Sequence, residues 1–266
     1  MRNSSGISNG MKKLILAAVG LLLIFPTLTF ASGYNSWTRQ RLGPSTGYGE
    51  PKMSANGKYM VVQKMAGPIH TGTFWFFKVK GAKPLWRYKG SKIFDLAISK
   101  KGDYVAAVGS KIQLFSKKSK RPLWSNNLGV SVMDSVAITP DGNYIVTGDR
   151  FGTVFLFEKG NRNSIKTWRV FPGEFVNKAV ISSDGKYLVV GSDLGVALLD
   201  RNKNNPVWKY KTKEADGSAD SILHLSMSSS GKYFVATTSQ GDNLYLFNKN
   251  KRKPKWTYHQ DSFHPI

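Results

Sequence analysis

The chain has 266 residues, with 39 Lys and Arg against 16 Asp and Glu, a net charge of +23 and no cysteine. Its 41% hydrophobic and 12% aromatic content is too high for a disordered polycation. Zero cysteine excludes disulfides, thiolate-ligated zinc, a thiol nucleophile and a lipid-modified N-terminal cysteine.

Residues 1–13 contain Arg2, Lys12 and Lys13 and no acid, and 14–30 are almost wholly apolar. Thr29 and Ala31 are small residues at the positions that precede a signal cleavage site. A charged lead before an apolar run reads as a cleaved signal peptide or a retained N-terminal anchor, and Met11 is an alternative start. Either way the body is expected outside the cytoplasmic membrane: periplasmic, extracellular or anchored on its outer side. Removing residues 1–31 leaves 36 bases against 16 acids, or +20. Segment 32–49 follows, with a possible extra outer strand around Trp37.

From residue 50 to the C-terminus the sequence repeats. A turn unit recurs five times: Ser54-Ala-Asn-Gly57-Lys-Tyr59, Ser99-Lys-Lys-Gly102-Asp-Tyr104, Thr139-Pro-Asp-Gly142-Asn-Tyr144, Ser182-Ser-Asp-Gly185-Lys-Tyr187 and Ser228-Ser-Ser-Gly231-Lys-Tyr233. A strand usually ending in Leu-Phe follows each turn, as in Lys111-Ile-Gln-Leu-Phe115 and Asn243-Leu-Tyr-Leu-Phe247. A tryptophan segment closes each unit, at Trp86, Trp124, Trp168, Trp208 and Trp256. With the apolar run before each turn, every unit holds four short strands, A to D, separated by Gly, Asn, Asp and Pro. No window past residue 31 sustains helical periodicity. Four strands repeated every 40 to 46 residues predict an all-β fold, a β-propeller of about five four-stranded blades.

The turn, the Leu-Phe strand and the Pro-x-Trp-x-Tyr strand of Pro84–Tyr88, Pro206–Tyr210 and Pro254–Tyr258 together resemble the exported WD40-like and PQQ-repeat-like propellers. The resemblance implies a propeller whose strand tryptophans pack between blades. It implies no cofactor here, because quinone binding in such enzymes needs a separate site in a larger ring. Five units leave two arrangements open: a closed ring with a stray N-terminal strand, or an open arc that needs a partner.

Propeller topology places the A–B and C–D hairpins on one face. Those hairpins carry 22 of the 39 basic residues, with clusters at Lys117, Lys118, Lys120, Arg121 and at Lys249, Lys251, Arg252, Lys253, Lys255. The other face collects acids, among them Asp134, Asp149, Glu174, Asp193 and Asp220. A polarised molecule of this kind concentrates polyanions on one side. The expected partner is a protein or an anionic surface such as phospholipid headgroups or acidic polysaccharide. Nucleic acid fits the charge, but no motif supports it. Lysine-rich turns that merely keep hairpins soluble explain part of the same pattern.

Catalytic signals are absent. His70, His224, His259 and His264 lack metal-ligand spacing, and no nucleophile elbow, phosphate loop or dinucleotide fingerprint occurs, so neither metal nor cofactor is expected. Counting four residues back from each turn Ser or Thr gives Glu50, Asp95, Ser135, Lys178 and His224, which alternation puts on one side of the inner strands near the channel mouth. The function expected is a non-catalytic exported binding or scaffold module docking through its basic face. The alternatives are an envelope protein assembly factor, or a small-ligand enzyme or sensor using the channel mouth.

Overall fold

A computed structural model describes residues 46–66, 69–129, 133–213, 217–239 and 243–259. The expected signal or anchor segment, Trp37, His264 and three further acids expected on the acidic face, Glu214, Asp216 and Asp242, lie outside them. The described residues form five antiparallel sheets and no helix, arranged as a five-bladed β-propeller.

Blade 1 contains β1 (Thr46–Tyr48), β2 (Lys52–Met53), β3 (Tyr59–Ala66), β4 (Ile69–Lys78) and β5 (Pro84–Lys89). Its inner strand is split, since both β1 and β2 pair with β3. It therefore begins ahead of the boundary at residue 50 drawn from the repeat. Blade 2 is β6 (Ile93–Ile98), β7 (Tyr104–Gly109), β8 (Ile112–Ser116) and β9 (Pro122–Asn126). Blade 3 is β10 (Met133–Ile138), β11 (Tyr144–Asp149), β12 (Thr153–Glu158) and β13 (Ser164–Arg169). Blade 4 is β14 (Val176–Ile181), β15 (Tyr187–Ser192), β16 (Gly195–Asp200) and β17 (Trp208–Lys211). Blade 5 is β18 (Ile222–Met227), β19 (Tyr233–Thr238), β20 (Asn243–Asn248) and β21 (Trp256–His259).

The repeated turn is explained by its own hydrogen bonds. In blade 4 the Ser182 hydroxyl accepts from Tyr187 N at 2.9 Å and donates to Asp184 Oδ1 at 2.6 Å, while Asp184 Oδ1 accepts from Lys186 N. Gly185 N closes the turn on Ser182 O at 2.9 Å, with φ of +68°, a conformation that favours glycine. Thr139, Asp141 and Tyr144 repeat the arrangement in blade 3. Every motif position therefore has a local bonding duty.

Neighbouring blades are locked by three recurring devices. The first is an apolar core. Val61, Phe74 and Phe76 of blade 1 pack on Val105, Ala107 and Phe115 of blade 2, and equivalent clusters join blades 2 and 3, 3 and 4, and 4 and 5. The second is the tryptophan. Its indole N–H donates to a backbone carbonyl in the C–D hairpin of the next blade: Trp86 to Lys117, Trp124 to Lys159, Trp168 to Lys203 and Trp208 to Lys249, at 2.8 to 3.0 Å. The third is the turn glycine, which lies flat on the preceding blade's tyrosine. A Cβ on Gly102, Gly142 or Gly185 would overlap the ring of Tyr59, Tyr104 or Tyr144. The cation that follows strand C of the next blade covers the same ring: Lys117 over Tyr59, Lys159 over Tyr104, Arg201 over Tyr144 and Lys249 over Tyr187.

The junction from blade 5 back to blade 1 lacks all three among the described residues. Trp256 is 45% exposed and has no hydrogen-bond partner, against 2% exposure for Trp168, so packing between blades holds for four of the five expected tryptophans. Space around Gly57 is empty where Tyr233 would sit. Ser228 is exposed, whereas Ser54, Ser99, Thr139 and Ser182 are buried. The blade 5 residues Val235, Leu244 and Leu246 are only half-buried, although their counterparts in blades 2 to 4 are fully buried. The position that supplies the cation elsewhere is Val79 in blade 1, whose N–H bonds Lys58 O just as Lys117 N bonds Asp103 O. The structure has five blades around one channel, and among the described residues the seam between blades 5 and 1 carries none of the three clasps.

Candidate functional site

The inner strands bring Glu50, Asp95, Ser135, Lys178 and His224 together at one cavity of about 460 Å³. Alternation alone does not aim these side chains. Register shifts at Phe94, Asp134, Asn177 and Leu223, one residue before each channel residue of blades 2 to 5, show a β-bulge in every one of those inner strands. In blade 1 the break between β1 and β2 falls at the same place. Bulges re-aim a side chain in this way, and no composition signal marked them.

Three of the five residues are already engaged, two of them by a neighbouring blade. Asp95 Oδ2 accepts from Val136 N of blade 3 at 3.0 Å, and Oδ1 accepts from Leu96 N at 2.9 Å. Ser135 Oγ accepts from Ala179 N of blade 4 at 3.0 Å. These are inter-blade stitches around the channel. Desolvation pushes the Asp95 carboxyl up, although the two N–H donors, Lys52 and Lys178 pull it back. Glu50 is held below the ordinary carboxylate range, chiefly by the 2.7 Å bond from Lys52. Lys178 and His224 line the cavity without a hydrogen-bond partner among the described residues. The cavity thus offers two unengaged bases and one ion pair. No group of three His, Asp or Glu stands ready for a metal among the described residues.

The basic face divides into structural and free cations. Lys117 and Lys249 are half-buried clasp residues. Lys117 also bonds Asp103 at 2.6 Å, and that partner raises its pKa. Lys249 sits 4.2 Å from the Tyr187 ring centre and lowers the pKa of that phenol. Both stand directly after strand C, the position that sets them apart from their neighbours in the run. Arg252 is exposed, and its Nε donates to Lys209 O of blade 4 at 2.7 Å. Lys118, Lys120, Arg121, Lys251, Lys253 and Lys255 are exposed, and none is in an ion pair among the described residues.

The acids of the opposite face are mostly spent on structure. Asp134 holds Arg150 through two bonds of 2.7 and 3.2 Å, and Arg150 stacks on Phe175. Buried Asp149 accepts from Phe151 N and Thr153 N. Asp193 accepts from Asn177 and Ser221. Of these three carboxylates only Asp134 is neutralised by a cation, whereas Asp149 and Asp193 keep their charge and use it to hold neutral donors. No helix among the described residues is long and apolar enough to cross a membrane.

No protein family matches the sequence, and no curated protein matches it. Among solved structures the chain is similar to the hydrazine synthase of Kuenenia stuttgartiensis, with a TM-score of 0.62 and 15% identity over 75% of this chain. The chain spans 62% of the length of that protein, and at such identity the likeness is one of fold alone: a β-propeller-type architecture.

Proposed function

We propose that this chain is a non-catalytic exported propeller of the WD40-like and PQQ-repeat-like kind. It acts as a binding module that docks on an anionic surface through its A–B and C–D hairpins. One observation supports the reading: six exposed cations in two hairpins, Lys118, Lys120, Arg121, Lys251, Lys253 and Lys255, have no carboxylate partner among the described residues, while Asp134 opposite is paired with Arg150. Each basic residue at an anionic membrane surface contributes about 1 kcal/mol and is screened by salt. The test is retention of residues 32–266 on anionic and neutral liposomes across a salt series. Strong salt-sensitive binding to anionic vesicles, weakened by Lys251→Glu with Lys253→Glu, is the expected result. Equal retention on neutral vesicles, or none at low salt, would overturn the reading.

A second reading, small-ligand sensing in the channel, is favoured by unengaged Lys178 and His224 at the cavity wall. Its variants are Lys178→Met and His224→Ala. Asp95→Ala would cut an inter-blade stitch and confuse binding with folding.

A further inference from the structure

Down the outside of the ring a groove separates each outer strand from the C–D hairpin of the next blade. Three of these grooves are bridged near the surface. Asn126 Nδ2 donates to Arg162 O at 2.7 Å between blades 2 and 3, Lys166 Nζ to Arg201 O at 3.0 Å between 3 and 4, and Arg252 Nε to Lys209 O at 2.7 Å between 4 and 5. Between blades 1 and 2 no such surface bridge exists among the described residues. There the groove opens to about 640 Å³, lined by residues 85–89 of β5 and by Lys120, Arg121 and Pro122.

The chemistry of this groove is one-sided. The Trp86 N–H is spent on Lys117 O, and the Tyr88 hydroxyl donates to Gln113 Oε1 at 3.0 Å, so both aromatics offer apolar ring surface. The lining holds four cations, Arg87, Lys89, Lys120 and Arg121, and no carboxylate. Among the described residues β5 pairs with β4 alone, and the backbone groups of its outer edge have no strand partner. Trp86 and Tyr88 pack toward blade 2, while Leu85, Arg87 and Lys89 alternate to the other side and are exposed.

We propose that the free edge of β5 takes an extended acidic peptide segment of a partner protein as an additional strand. Main-chain pairing supplies the affinity in this mode, and side-chain rows supply the selectivity. A strand added there projects alternate residues to both sides of the sheet, and each side presents cations. An apolar residue of the same strand meets Leu85 or the Trp86 ring. The concave groove admits a chain more readily than a flat headgroup plane. The cations also disfavour pairing with a second copy of this basic chain, so the edge is guarded against itself and open to acidic strands. The groove shares Lys120 and Arg121 with the proposed docking face, whereas Lys251 and Lys253 lie in another blade and separate the two readings.

The experiment is fluorescence anisotropy with the mature chain and a short labelled peptide alternating glutamate and leucine. Its controls are a lysine–leucine peptide and a backbone N-methylated copy of the acidic one. The acidic peptide should bind, the lysine and N-methylated peptides should not, and Arg87→Glu should weaken binding by roughly tenfold or more. Lys251→Glu with Lys253→Glu should leave peptide binding unchanged. Undiminished binding of the N-methylated peptide to the unaltered protein would overturn strand addition, as would indifference to Arg87→Glu. Loss of anionic-vesicle retention on Arg87→Glu, with no acidic peptide bound, would assign the groove to lipid and overturn the proposal.

Discussion

The junction between blades 3 and 4 and the junction between blades 5 and 1 are built from the same sequence parts and differ in what those parts touch. At the first, Trp168 is buried and bonded, Gly185 lies on Tyr144, and Arg201 stacks 4.1 Å from the same ring. At the second, Trp256 is exposed, Gly57 meets nothing and Val79 stands where the cation belongs. The difference teaches that the same sequence parts clasp only where the neighbouring blade meets them. The indole bond, the tyrosine–glycine contact and the cation lid share one small area, and all are present together or absent together.

The largest expected contrast lies in the tryptophans. Trp168→Ala should lower unfolding stability by about 3–5 kcal/mol, as for other buried aromatics, whereas Trp256→Ala should stay within about 0.5 kcal/mol. Chemical denaturation midpoints measure both, and equal losses would contradict an open seam. A smaller contrast comes from the glycines. Gly57→Ala should cost about 1 kcal/mol, from its positive φ of +66° alone. Gly185→Ala adds overlap with the Tyr144 ring and should cost about 1–3 kcal/mol more. The same titrations resolve this pair.

The smallest effect is that of pH. Partial burial raises the carboxyls of Asp141 and Asp184, but the hydroxyls of Thr139 and Ser182 and the N–H groups of Asn143 and Lys186 more than offset it. Both lie below the ordinary value of 3.8, so their stabilisation is complete above it and is lost as pH falls through the depressed values. Asp95 works in the opposite sense. Its raised pKa makes folding less favourable as pH climbs from 3.8 through the folded value. Asp184→Asn should flatten the acid limb of a stability–pH curve, and Asp95→Asn should flatten the rise-side loss. An unchanged acid limb in Asp184→Asn would show that the turn carboxylate carries no such linkage.

The blades were legible because the bonds that shape them are local. Ser182 to Tyr187 spans five residues, and the whole unit recurs five times. The channel constellation was legible through the repeat, since Glu50, Asp95, Ser135, Lys178 and His224 each stand four residues before a turn Ser or Thr and share one cavity, although the bulges that aim them were not. Their duties were hidden, because whether Asp95 is free depends on Val136, which is 41 residues away. The seam was hidden for a related reason. Pro254-Lys-Trp256 reads like Pro206-Val-Trp208, and burial of an indole is decided by the neighbouring blade. One signal was present: the residue after strand C is Lys117, Lys159, Arg201 or Lys249 in four units and Val79 in the first.

The central claim is the split ring, and a cysteine-free chain allows a direct test of it. A Cβ on Gly231 would lie 3.3 Å from the Tyr187 Cβ, near the separation a disulfide needs, whereas nothing lies within 4 Å of one on Gly57. The pair Tyr187→Cys with Gly231→Cys should crosslink readily under mild oxidation, and the matched pair Tyr233→Cys with Gly57→Cys should remain reduced. Equal crosslinking of the two pairs, read by peptide mapping, would contradict the account and show a ring closed at all five junctions.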